Sequence, residues 1–259
     1  PDNGVAAAMY AACKATVKVG DGNEISLHEQ TNYPFEETIR FTVNTPKAVS
    51  FPFYLRIPSW TEGATIFVNG KKVAANPEAG QYACINREWK DNDQVEIQLP
   101  MQLSMRTWQV NKNSVSVDYG PLTMSLKIDE DYVKKDSRAT AIGDSKWQEG
   151  ADASQWPTYE IYAKTPWNYA LVLGKNKPLK DFKVVHKEWP ADNFPFTVAS
   201  TPIEVKAIGR KVPSWVIDQY DLCSELPDMD APKGEKEEIT LIPMGAARLR
   251  VSAFPNTRE

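Results

Sequence analysis

Short runs in which apolar and polar residues alternate one for one recur along this chain, and a sequence with that rhythm can bury one face only by building sheets. In ETIRFTVN, Ile39, Phe41 and Val43 alternate with Thr38, Arg40 and Thr42. SFPFYLRIP, ATIFVNGKKV, QYACINREW and QVEIQLP carry the same β-branched and aromatic content, cut by Gly, Pro, Asn and Asp every ten residues or so. Asn69-Gly70 is the strongest short hairpin signal, because both positions of that turn need positive φ. Lys90-Asp91-Asn92-Asp93 marks a second turn, Pro100 limits where the next strand can pair, and SVSVDYGPLTMSLKI places a strand on each side of Gly120-Pro121. An apolar stripe at helical spacing is missing, so helices are expected to be few and short.

From Asp129 to Trp156 the texture becomes polar, charged and aperiodic, and strand-like runs then resume in TYEIYAK, YALVLG, FKVVHKEW, PIEVKAIGRKV and EITLIPMGAARLRVSAF. Glu225 to Glu238 reads as a solvated loop. With 259 residues, enough for about two domains, the expected fold is all-β: two antiparallel β-sandwich domains, 1–125 and 157–259, joined by a polar linker or long loop at 126–156. A half-polar antiparallel sheet must cover its apolar face with a second layer.

Composition narrows the partners. At 42% hydrophobic and 25% charged the chain can form a core, and a net charge of −4 without basic runs gives a nucleic acid little to hold. No stretch approaches the roughly 20 apolar residues of a membrane-spanning helix. The opening PDNGVAAAMY lacks both an initiator Met and the basic start of a signal peptide, so an excised part of a longer polypeptide is expected and the compartment is left open. The odd number of cysteines, Cys13, Cys84 and Cys223, excludes a fully paired framework, and each is expected to be a small buried hydrophobe.

Neither a P-loop nor a dinucleotide fingerprint is present, and with the cysteines far apart and only His28 and His186 as histidines, no metal or cofactor is expected in this segment. Glycosidic hydrolysis asks for two facing carboxyl groups. Glu29, Glu36 and Glu37 around Tyr33-Pro34-Phe35, with Asp118, are the candidates, set against a plain reading as solvated acids at a strand end. The eight tryptophans are more distinctive. An indole face stacks on the C–H face of a sugar, and Trp60, Trp89, Trp108, Trp167 and Trp215 lie near turn residues, where sandwich loops display ligand contacts. Core packing competes for most of them, since aromatic side chains anchor β-cores. Trp167-Asn168-Tyr169, beside Pro166, is the run best placed for sugar binding or interdomain contact. The candidate contact residues are therefore Trp60, Trp89, Trp108, Trp167, Asn168 and Tyr169, with no catalytic or metal-binding residue assigned.

The order LRIPSW (Leu55 to Trp60), Val68-Asn69-Gly70, Tyr82 with Ile85, Arg87 and Trp89, LPM (Leu99 to Met101) and YGPL (Tyr119 to Leu122) resembles the C-terminal region of glycoside hydrolase family 127, typified by bacterial β-L-arabinofuranosidases. QTNYPFEETIRFTV upstream, and TPWNYALVL, PIEVKAIGRKVPSW and ARLRVSAFP downstream, extend the resemblance nearly end to end. It implies a parent enzyme with an N-terminal (α/α)₆ barrel followed by two β-sandwich domains. It further implies that a zinc-bound cysteine nucleophile and a glutamate acid/base belong to that barrel. Cys13, Cys84 and Cys223 match no catalytic position. The expected role is thus a non-catalytic portion that buttresses the barrel of the same polypeptide. A carbohydrate-binding module for arabinose-containing plant glycans is the second reading, and an independent carboxylate-based glycosidase the third.

Overall fold

The computed structural model describes residues 2–73, 77–140, 147–220 and 222–259. The chain divides into two compact units, one formed by the residues up to Ser104 with Asp118–Leu122, the other by Met105–Val117 and Thr123–Glu259. Among the described residues strands dominate, and helix is confined to one four-residue turn and one 3-10 turn.

The strands of the first unit are β1 (Val5–Ala7), β2 (Cys13–Val19), β3 (Asn23–Gln30), β4 (Thr38–Asn44), β5 (Val49–Arg56), β6 (Thr65–Val68), β7 (Lys71–Lys72), β8 (Tyr82–Trp89) and β9 (Asp93–Gln98). They form a six-stranded sheet in the order β2-β3-β4-β9-β6-β7 and a three-stranded sheet in the order β1-β5-β8. Every pairing is antiparallel except that of β1 with β5. The alternation read in the sequence sets which side chains go inside: Ile39, Phe41 and Val43 from β4 and Val95 and Ile97 from β9 meet Phe51, Phe53, Leu55 and Trp89 in one buried cluster. Phe53 holds edge-on contacts with both Phe41 and Trp89, at 5.3 and 6.0 Å between centroids, a geometry aromatic pairs favour. Trp89 is fully buried, and its indole N–H donates to the Phe51 carbonyl at 3.0 Å, which keeps the polar end of the ring from being stranded in the core.

Three turns are stitched together at one end of this unit. Asn69 and Gly70 have φ of +50° and +75°, as the hairpin signal requires. The Asn69 amide donates to Asp93 Oδ1 at 2.8 Å, while its side-chain oxygen accepts the backbone N–H of Gln94 at 2.8 Å. Asp93 Oδ2 accepts the N–H of Lys90, and Asp91 accepts that of Thr45. Elsewhere, at Gly120, φ is +54° and an added Cβ would stand 2.6 Å from Cγ of Met101, so the Tyr119 to Leu122 turn admits only glycine there.

The chain continues through β10 (Leu103–Trp108), β11 (Ser114–Tyr119), β12 (Leu122–Leu126), β13 (Glu130–Lys135), α1 (Ser137–Thr140), β14 (Thr158–Ala163), β15 (Tyr169–Leu173), β16 (Lys183–His186), β17 (Ile203–Lys211), β18 (Lys236–Pro243) and β19 (Asn256–Arg258). An eight-stranded sheet runs β10-β11-β12-β18-β17-β15-β19, with β16 also on β17, and β13 pairs with β14 as a separate hairpin. Within 126–156, where the sequence suggests a linker, Glu130–Lys135 thus forms a strand in register with Thr158–Ala163. Cross-strand pairing substitutes there for the apolar periodicity the segment lacks. Residues 141–146 of that segment lie outside the described residues. The long run from Glu238 to Phe254 is also divided: β18 stops at Pro243 and Met244–Ala246 makes a 3-10 turn.

The cysteines correct an expectation. Cys13, Cys84 and Cys223 are free and exposed rather than buried. Cys84 stands between the buried Ala83 and Ile85, so the pleat of β8 turns it outward, and strand register overrides the residue's ordinary preference for burial.

Candidate functional site

In the second unit, Ile128, Ile161, Tyr162, Trp167, Ile217, Cys223, Leu249, Arg250 and Val251 line a mainly apolar groove of about 270 Å³. Trp167, of the run Trp167-Asn168-Tyr169, lines it. Trp167 packs edge-on against Trp215 at 5.1 Å, and the Asn168 amide donates to the Val212 and Trp215 carbonyls at 3.0 and 3.1 Å. Tyr169 is buried, with the Lys211 ammonium 5.9 Å from its ring centre. Of the three residues only Trp167 reaches the groove, while Asn168 and Tyr169 fix it in place. Trp215 is anchored in turn, donating from its indole to the Ser224 carbonyl at 3.2 Å.

Beside the groove the loop after Trp215 turns its apolar side chains outward: Val216, Ile217, Tyr220 and Leu222 are all among the exposed hydrophobics. Asp218 holds this display, accepting the N–H groups of Tyr220 and Leu222 at 2.8 and 2.9 Å on one carboxylate oxygen. A side chain that accepts backbone N–H groups two and four residues on forms an Asx-type turn.

The other candidates are scattered. Trp89 is a core residue, and alternation along β8 fixes it inward. Trp60 is half-buried against the first unit's core. Trp108, 40% exposed, donates to Ser116 Oγ at 2.8 Å and lies under the Arg106 guanidinium at 5.1 Å, so one face of its ring is already taken.

The carboxylates considered for hydrolysis have local duties. Glu36 accepts from the Asn32 amide at 2.8 Å and Glu37 from the Met101 N–H at 2.7 Å, while Asp118 is buried on β11. Glu29 occupies the inward position of β3 that follows Ile25 and Leu27, and it is buried. It accepts the Ala11 N–H at 2.9 Å, with the Cys13 thiol 3.8 Å away. Burial pushes its carboxyl up to about 7, against the smaller opposing pull of those two donors. The folded state therefore binds the proton more tightly than the unfolded chain does. This contribution is complete below the ordinary carboxyl pKa and is lost as pH rises through about 7. Glu29→Gln, which mimics the protonated form, is expected to be more stable than the parent by about 1–2 kcal/mol at pH 8. The two should converge near pH 4; urea unfolding at both pH values measures the difference.

Among the described residues no three of His, Cys, Asp and Glu converge as a metal's ligands would. No helix there is long and apolar enough to cross a membrane.

Residues 4–101 match the family described as Beta-L-arabinofuranosidase, GH127 middle domain. No curated protein sequence matches the chain. Among solved structures, a protein named glycoside hydrolase is 22% identical with a TM-score of 0.62, the alignment covering 99% of this chain and 36% of that one. A GH127 beta-L-arabinofuranosidase from Geobacillus stearothermophilus T6 is 21% identical at TM-score 0.61, covering 99% and 34%. A further GH127 beta-arabinofuranosidase is 20% identical at TM-score 0.62, covering 99% and 35%. The chain spans about a third of the length of these proteins. At such identities they show a shared fold, and the sequence match to the middle domain falls on the first unit. The chain is thus similar in sequence over residues 4–101 to the GH127 middle domain, and similar in fold along its whole length to about a third of the length of GH127 arabinofuranosidases.

Proposed function

We propose that this chain is an accessory, non-catalytic portion of a glycoside hydrolase and that it buttresses a catalytic barrel of the same polypeptide. The observation that carries the reading is the match of residues 4–101 to a middle domain, in a chain that spans about a third of the length of the glycoside hydrolases sharing its fold. The exposed apolar side chains of Val216, Ile217, Tyr220 and Leu222, close in sequence, support it, because exposed apolar surface of this kind is what a covering partner would bury. By analogy with the similar proteins, the parent acts on β-L-arabinofuranosides of plant glycans.

The test compares the barrel-bearing polypeptide with this chain alone on an aryl β-L-arabinofuranoside. Turnover by the longer protein, none by this chain, and protection of residues 215–224 from hydrogen exchange only in the longer protein are the expected results. Turnover by this chain alone would overturn the reading, and so would equal exchange in both forms.

A second reading, carbohydrate binding through tryptophan, is favoured by the placement of Trp167 in an open groove. It predicts that Trp167→Ala abolishes affinity for arabino-oligosaccharides.

A further inference from the structure

A different surface of the first unit has the chemistry of a sugar site. The outward face of the six-stranded sheet holds a groove of about 350 Å³, within the range of ligand pockets. Strand register builds it. Gln30 of β3 pairs with Arg40 of β4, Arg40 with Glu96 of β9, and Glu96 with Phe67 of β6, so four side chains form one row across four strands. Thr42 and Gln94, paired with each other, flank the row on one side, and Gln98 borders Glu96 on the other.

Electrostatics select the ligand class. Arg40 Nε donates to Glu96 Oε2 at 2.8 Å and the Gln98 amide donates to Glu96 Oε1 at 2.9 Å. The two charges cancel, so neither an anion nor a cation finds an uncompensated partner at the centre. The guanidinium keeps N–H donors beyond the one it gives to Glu96, and the side-chain amides of Gln30 and Gln94 take no partner among the described residues. Donors and acceptors are therefore on offer around a half-buried aromatic ring, Phe67, whose negative π-face attracts weakly positive C–H groups.

We propose that this face, centred on Phe67 and flanked by Gln30, Arg40, Gln94 and Glu96, binds a neutral oligosaccharide, the sugar ring lying on Phe67 with its hydroxyls on the amides. The proposal stands apart from the accessory role, since a chain that bound no sugar could still support a barrel.

Calorimetric titration of the whole chain with linear arabino-oligosaccharides, xylo-oligosaccharides and, as an anionic control, oligogalacturonate tests it. Saturable binding of a neutral oligosaccharide is expected, weakened about tenfold or more by Phe67→Ala and several-fold by Gln94→Ala. The solvent-facing Gln94 variant should melt with the parent and so separates binding from folding. Absence of saturable binding by both neutral series would overturn the proposal. So would preference for oligogalacturonate, or binding that Phe67→Ala and Gln94→Ala leave intact while Trp167→Ala removes it.

Discussion

Trp89→Ala is expected to destabilise the protein by about 3–5 kcal/mol, read as a lowered urea midpoint at unchanged slope. The indole is fully buried against Phe51 and Phe53, so truncation leaves a cavity that two rings on one strand cannot collapse to fill. It also strands the Phe51 carbonyl, which loses the N–H it accepts from the ring. Trp89→Phe, which refills much of the volume but not the donor, should recover more than half the loss. A loss below about 1 kcal/mol for the alanine variant would show that Trp89 is not the centre of this core.

The second large effect is expected at Glu204 of β17. Its carboxylate is buried and meets three ammonium groups: Lys127 at 3.0 Å, Lys187 at 3.2 Å and Lys206 at 3.5 Å. Burial alone would raise its pKa, but Lys127 and Lys187 outweigh burial and hold it below the ordinary carboxylate value. Glu204→Gln leaves three cations converging on a neutral amide. Removing one partner of a buried ion pair costs about 3–5 kcal/mol, and because these lysines are a third exposed a loss of about 2–3 kcal/mol is expected. The pH dependence carries the sign. With a depressed folded-state pKa, this stability is present above the ordinary carboxyl pKa and vanishes as pH falls through the lower folded value. The variant and its parent should therefore differ at pH 7 and converge in strong acid. A gap that stays constant with pH would mean that the ion cluster is not its source.

What the sequence discloses here follows from where each signal resides. Alternation is local, so β4, β8 and β9 and the side chains they bury could be read directly, and so could the Asn69-Gly70 turn, whose φ requirement belongs to two adjacent residues. Strand β13 could not be read, because Glu130–Lys135 has no apolar alternation and becomes a strand only through its partner about thirty residues later. Cysteine's general preference for burial misleads for a different reason: at Cys84 the local pleat of β8 outranks the residue's own preference.

Site residues divide in the same way. Trp167 stood out by type and proves to line a groove, whereas Trp89, equally conspicuous, is held in the core by its place in an alternating run. The polar groove of the first unit is not legible residue by residue, because Gln30, Arg40, Phe67 and Glu96 come from four strands and are ordinary one by one. The usable signal was the outward half of ETIRFTVN and QVEIQLP, which places Arg40, Thr42, Gln94, Glu96 and Gln98 on one face once those strands pair.

The tip of a hairpin is ordinarily where a fold accepts extra residues, because little else depends on it. At Asn69 the opposite holds: one side chain accepts the Gln94 N–H and donates to Asp93, the aspartate that shapes the neighbouring turn. The tip acts as a fastener, so a tag or domain spliced in at 69–70 would disturb this hairpin and the Lys90–Asp93 turn together.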